Sequence, residues 1–408
     1  MKLLTTLGLT AFLASSAFAL PGGEACKEAQ RAAEAAASAP QTIELAICLD
    51  TSGSMNGLID AARTKIWSIV SDLAQATPQP KLRVALLTFG NDRHLAENGW
   101  TNIDVDFTDT LDLVSDKLFA LTTNGGTELV GRIVDRATTG LSWSPADASL
   151  KVLVVAGNES ADQDQVVRYG DASKRAIEKM IVVNSIYCGN PADTLAPIWQ
   201  DVAKRADGHF AAIDQDNGTL VIATPFDAEL TRLSADLNTT YLPFGSGGQW
   251  NSANQMRQDA NAAGANSAAA AERCVTKGGA MYSNSGWDLV DACKSPDFKL
   301  EDVKKEELPE GMRGMTIEAC RQHIAEKAKA REEIQAKIKA IGERRSEFLA
   351  AETAKQEKDG ARSFDRAMRD AIRAQASARG FRFPADPVAE AAPAAPAEPA
   401  PVKTSSAG

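Results

Sequence analysis

The stretch from Thr42 to Gly57 reads "TIELAICLDTSGSMNG". Its first part, "TIELAICL" (42–49), is a short, mostly apolar run of the kind found in a strand covered on both faces. The run ends on Asp50, and Ser52 and Ser54 follow at every second position. A hard divalent cation takes oxygen ligands, and Mg2+ in particular asks for near-octahedral geometry while keeping several waters. Short side chains on a tight loop meet that demand: alternate positions turn to one side, Gly53 permits the bend between the serines, and Thr51 points away. Asp, Ser and Gly before a helix are also ordinary capping and turn residues. On this stretch alone both readings stay open.

Outward from it, "KLRVALLTF" (81–89), "LKVLVVA" (150–156), "MIVVNSIYC" (180–188) and "HFAAI" (209–213) repeat the short apolar pattern. "NIDVDF" (102–107) is more polar and reads as an edge strand. Between them, residues 57–76 place Leu58, Ala61, Ala62, Lys65, Ile66, Ile69, Val70 and Leu73 at helical spacing, and 109–120, 128–138, 162–179 and 193–206 behave similarly. "TPFDAELTRLSADL" (224–237) opens on Thr224-Pro225, a suitable cap and first-turn pair. Alternation of strand and helix predicts an α/β domain, a doubly wound, Rossmann-like, mostly parallel sheet with an antiparallel edge strand. Ligands of such sheets sit outside the carboxyl ends of the strands. The Asp50 loop lies there. So do "LTTNGGTELVG" (121–131), with Thr127 after two glycines, and the oxygen-rich "VAGNESADQD" (155–164).

From about 244 the character changes to an α-helical C-terminal region. "GSGGQWNSANQ" is a break, 252–277 is Ala-rich and suits one helix, and "SGWDLVDAC" (285–293) suits a shorter one. A long helix is expected over 316–356, and another over 362–379. Read in heptads, Ile317, Ile324, Arg331, Ile338 and Arg345 share one position, with Cys320, Lys327, Ile334, Ile341 and Phe348 on its partner. That seam is apolar only in part, so it gives partial coiled-coil character, a charged hairpin or an arm packed on another surface, and a route to self-association. The predicted organisation is a signal peptide (1–19), an Ala/Glu-rich linker (20–41), the α/β domain (42–243), the helical region (244–383) and a disordered Ala/Pro-rich tail (384–408).

"MKLLTTLGLTAFLASSAFA" has a short positive start, an apolar run and Ala17-Phe18-Ala19, which predicts cleavage near Ala19 and a secreted or periplasmic protein with no membrane span. The net charge of −10, with no basic block, argues against nucleic acid as a partner. Export permits disulfides among Cys26, Cys48, Cys188, Cys274, Cys293 and Cys320, and the sequence does not choose among the pairings; a bridge is expected among the last three, which share the C-terminal half, and Cys48 suits a free core thiol. Without a C-x-x-C, and with the histidines scattered, a structural zinc site is not expected.

The "DTSGS" of 50–54, the Gly-Gly-Thr of 125–127 and the order of elements make residues 42–240 resemble a von Willebrand factor type A (VWA) domain. The resemblance implies a metal-ion-dependent adhesion site (MIDAS). Ser52, Ser54 and Thr127 would then supply hydroxyl oxygens to Mg2+ or another divalent cation, and Asp50 would be a ligand or outer acceptor. That family usually places Asp after the fourth strand. Here Gly157 stands at that point, and Glu159, two residues on, is the candidate substitute. With "IYCGN", "LNTTYLPFG" and "SGWDLVDA", the chain also resembles exported bacterial proteins that join this domain to a helical region.

Hydroxyl ligands are neutral, so a bound cation keeps positive charge that an acidic residue of a partner protein can meet. The expected function is metal-dependent protein binding or adhesion, without catalysis. The rivals are an inert scaffold working through its helical arm and a hydrolase. For the hydrolase there is no G-x-S-x-G, H-E-x-x-H or P-loop, and neither His94 nor His209 has an evident acid partner in the sequence.

Overall fold

The computed structural model describes residues 42–56, 59, 67, 69–70, 72–73, 76–145, 149–213, 222–356 and 364–383. The segments expected as a signal peptide (1–19), a linker (20–41) and an Ala/Pro-rich tail (384–408) lie outside them. Among the described residues there are six strands: β1 (Thr42–Asp50), β2 (Lys81–Phe89), β3 (Thr101–Thr108), β4 (Ser149–Gly157), β5 (Ile181–Tyr187) and β6 (Phe210–Ala212). They form one sheet in the order β3-β2-β1-β4-β5-β6. All pairings are parallel except β2 with the edge strand β3, which is antiparallel and irregular in register. β1 pairs with β2 on one side and β4 on the other, so connections leave it in opposite directions. The crevice of the doubly wound sheet therefore opens at the carboxyl ends of β1 and β4, where Asp50 and Gly157 stand.

The strands read as continuous apolar runs because both faces are covered. Ile43, Leu45, Ile47 and Leu49 point into one buried cluster, and Ala46 and Cys48 into the other. The second face is covered by α2 (Val130–Gly140), α3 (Tyr169–Glu178) and α4 (Ala196–Lys204). The first face receives α1 (Leu111–Ala120) and the described residues of 57–75, all of which are helical. It also receives helices of the C-terminal region: α5 (Asp227–Asn238), α7 (Ser267–Gly278), α9 (Ile317–Gln356) and α10 (Phe364–Ser377) contribute to that same cluster. α6 (Gly248–Ala265) and the single turn α8 (Leu289–Ala292) complete the order. Among the described residues no helix is long and apolar enough to cross a membrane.

Several expectations need correction. The helix expected over 162–179 begins only at Tyr169. Asp164 accepts from the backbone N–H groups of Val166 (2.8 Å) and Val167 (3.0 Å) and is held by Arg132, which fixes 162–168 as a loop. α5 starts at Asp227 rather than Pro225, because the Thr224 hydroxyl donates to the Asp227 side chain at 2.6 Å. The Ala-rich segment 252–277 is two helices. Asn266, in extended conformation, ends α6 and caps α7 by accepting from Ala269 N–H at 2.8 Å. No bridge joins Cys274, Cys293 and Cys320. Cys274 and Cys320 lie in different buried clusters and Cys293 is exposed, so the three thiols are kept apart. Cys48 is likewise free and buried, and Cys188 is buried.

The heptad seam of α9 is buried inside the chain itself. Ile324, Arg331, Ile338 and Arg345 are all buried. Arg331 pairs with Asp288 (2.7 Å) and Asp291 (3.1 Å) and lies 4.1 Å from the Tyr241 ring centre, and Arg345 pairs with Asp227 (2.9 Å). Arginines interrupt the seam because it packs on the protein's own acidic side chains. The arm is thus laid on the rest of the fold.

Candidate metal centre

β1 delivers Asp50 to the carboxyl edge of the sheet, fully buried. One of its oxygens, Oδ1, accepts from Ser52 N–H at 2.7 Å, which turns the chain at once. The turn brings the Ser52 and Ser54 hydroxyls to 2.8 Å from one another, and Ser54 Oγ donates to Asn158 Oδ1 at 2.9 Å. Three side-chain oxygens from two loops thus form one hydrogen-bonded row, with Ser52 buried and Ser54 exposed.

The loop carrying Thr127 is laced to this turn by its backbone. Gly53 N–H donates to Gly125 O (3.0 Å), and Asn124 N–H to Thr51 O (3.0 Å). Asn91 Nδ2 donates to both Thr51 O (3.1 Å) and Thr122 O (2.9 Å), stapling the two loops together. Thr127, half-buried, pairs with Gly90 in a single antiparallel bridge. Gly90 has φ of +81°, and a Cβ there would meet Asp50 Oδ1 at 2.8 Å and the Cβ of Ser52 at 3.2 Å. Only glycine lets the Thr127 strand approach the Asp50 loop this closely.

The site's electrostatics are unusual. Asp50 Oδ2 is buried and has no hydrogen-bond partner. Burial pushes the Asp50 carboxyl up to about 7; hydrogen bonds from Ser52 and from the Asn158 backbone oppose this, and the charge of Glu128 adds to it. A lone buried carboxylate beside a row of neutral oxygens is a donor set that a divalent cation fits. Asp50, Ser52, Ser54 and Asn158 would hold it, with Thr127 beside them.

Glu159 is not part of this row. Its backbone carbonyl accepts from Trp199 Nε1 at 2.8 Å. Its side-chain charge is felt by Tyr187, whose phenol is pushed up to about 12, first by burial and then by its hydrogen bond to Asp193. Asn158, one residue nearer the strand, is the residue whose side chain meets Ser54. Gly157 is filled space. A Cβ there would lie 3.1 Å from Trp199 Cη2 and 3.2 Å from Asp50 Cβ and Oδ2. Two residues went unread in the sequence. Asn158 was visible there only as one of several polar residues in its loop. Glu128, next to Thr127, gave no signal because its approach to Asp50 runs through the fold.

The histidines lie apart from this row. His94 Nε2 is 2.9 Å from Thr88 Oγ1, which donates to Asp104 Oδ2 at 2.7 Å, so His94 reaches an acid through a threonine that the sequence did not reveal. Burial lowers its pKa. His209 is exposed.

No protein-family model matches the chain, and no curated protein matches it. Among solved structures it is similar to proximal thread matrix protein 1 from the mussel byssus, at 14% identity and TM-score 0.33 over 43% of each chain. A structure of that protein with a zinc-occupied MIDAS motif aligns at 16% identity, TM-score 0.33 and 43% of each chain. The pilus adhesin SpaC from Lactobacillus rhamnosus GG aligns at 13% identity and TM-score 0.35, over 44% of this chain and 29% of that one. The chain thus spans less than half the length of these proteins. Likeness at this level assigns no ligand or partner to the present chain.

Proposed function

We propose that the protein is an exported, VWA-type binding module that captures a protein partner through a divalent cation, Mg2+ or a close equivalent, held at the Asp50 loop. The observation that carries the reading is the Ser52–Ser54–Asn158 row of oxygens beside a buried Asp50 oxygen with no partner. The bound cation supplies a Lewis-acidic point at the surface. Ser54 is exposed, so a partner side chain can approach it, whereas Asp50 and Ser52 are buried and set the loop's shape. A coordination position open at the exposed Ser54 side is one that an acidic residue of the partner can fill.

The test is capture of partner proteins from the native source by the immobilised full chain, with and without chelator, beside Ser54→Ala. The expected result is that chelation and Ser54→Ala each remove the captured proteins, and that excess Mg2+ restores capture only by the unsubstituted chain. Capture that survives both perturbations contradicts the proposal.

A further inference from the structure

The chain pairs its buried carboxylates with arginine almost everywhere. Glu44 bonds Arg83, Asp72 bonds Arg373, Asp112 bonds Arg273, Asp164 bonds Arg132, Asp227 bonds Arg345, and Asp288 and Asp291 share Arg331. Among the described residues two buried acids have no such partner, Asp50 and Glu128 (4% exposed), and they face the same point. A Cβ placed on Gly90 would touch Asp50 Oδ1 at 2.8 Å and Glu128 Cγ and Ser52 Cβ at 3.2 Å each. The hydrogen bond holding the Glu128 carboxylate is a long one, from Gln163 Nε2 at 3.4 Å.

We propose that Glu128 is the second carboxylate of the metal centre, supplying across Gly90 the charge that Gly157 does not. The proposal rests on the cation-binding reading of the Asp50 loop and adds a residue to it. Two like charges buried against one glycine repel, and elsewhere this chain answers such a charge with a guanidinium. Here the countercharge is the cation: Gly90 faces Asp50 Oδ1, which accepts from Ser52 N–H, and Oδ2, with no hydrogen-bond partner, is the oxygen left to the ion. Glu128 adjoins Thr127, so the loop that brings the third hydroxyl also brings the second charge. Its burial makes it a residue that holds the ion, leaving the exposed side at Ser54 to the partner.

Two readouts on the full chain test this, calorimetric titration with Mg2+ and thermal unfolding with and without Mg2+, for the unsubstituted protein, Glu128→Gln, Glu159→Gln and Ser52→Ala. Glu128→Gln is expected to weaken Mg2+ binding at least about tenfold. In the metal-free protein it is expected to raise the unfolding temperature by about 1 °C or more, because it removes a repulsion. Glu159→Gln should change neither. A residue that merely packs against Gln163 would instead lose stability in both states. If Glu128→Gln binds Mg2+ as the parent does while Ser52→Ala does not, Glu128 is no part of the centre and the proposal fails alone. If the unsubstituted chain binds neither Mg2+ nor Mn2+, the cation-binding reading fails and takes this proposal with it.

Discussion

Replacing Gly157 with alanine tests why the carboxylate expected after β4 is absent. The added methyl would lie 3.1 Å from Trp199 Cη2 and 3.2 Å from Asp50 Cβ and Oδ2. Ordinary carbon contacts are about 3.5–4.0 Å, so the neighbours must yield by a few tenths of an ångström. Trp199 has little room to do so, being buried and tied through Nε1 to Glu159 O at 2.8 Å. Overpacking of this kind costs roughly 1–3 kcal/mol. Gly157→Asp should cost more, because it sets a second charge against Asp50. The assay is urea unfolding in chelator, read as a shift of midpoint at constant slope. A double-mutant cycle with Trp199→Phe, which deletes Cη2, separates the packing contribution. The two substitutions together should cost less than their sum by at least about 0.5 kcal/mol. If Gly157→Ala is as stable as the parent, or the cycle is additive, Trp199 is not what excludes a side chain there.

Other expectations follow from the same contacts. Arg331→Met removes the guanidinium from Asp288 and Asp291, both buried, and should cost about 3–5 kcal/mol by denaturant unfolding; a loss under about 1 kcal/mol would show that those acids are satisfied without it. Asn266→Ala deletes the cap accepting from Ala269 N–H and should cost about 1 kcal/mol, with Asn266→Gly close to neutral; equal losses would argue against capping. Asp227 is opposed by its burial, yet its hydrogen bonds from Thr224 and Arg345 hold its carboxyl below the ordinary range. A depressed folded pKa stabilises the protein above the unfolded value of about 4, and that share is lost as pH falls through the folded one. Urea unfolding between pH 5 and 2 should therefore lose stability less steeply in Thr224→Val than in the parent, and identical profiles would contradict this.

What the sequence disclosed was what local chemistry decides. The runs at 42–49 and 81–89 announced strands because both faces are covered by helices, and the polar 102–107 announced the antiparallel edge. The alternate oxygens of Asp50, Ser52 and Ser54 announced one loop of the candidate site. What it hid depends on residues distant in the chain. The arginines of the α9 seam look like faults in a heptad until Asp288 and Asp227 stand opposite them. Residues 162–168 look helical until Arg132 fixes Asp164. Asn266 interrupts an alanine-rich run through a single side-chain oxygen. At the site, Asn158 reaches Ser54 from a loop in which Glu159 stands out in the sequence by its charge. Glu128 comes to lie beside Gly90, across from Asp50, because the neighbouring Thr127 pairs with Gly90.

The most direct test of the cation-binding centre is a titration of the full chain with Mn2+, followed by electron paramagnetic resonance, in parallel with Ser52→Ala and Ser54→Ala. One bound ion per chain, displaced by Mg2+ and lost from both variants, is the predicted result. No bound ion in the parent, or equal binding in all three proteins, would contradict the assignment of the Asp50 loop as a metal centre.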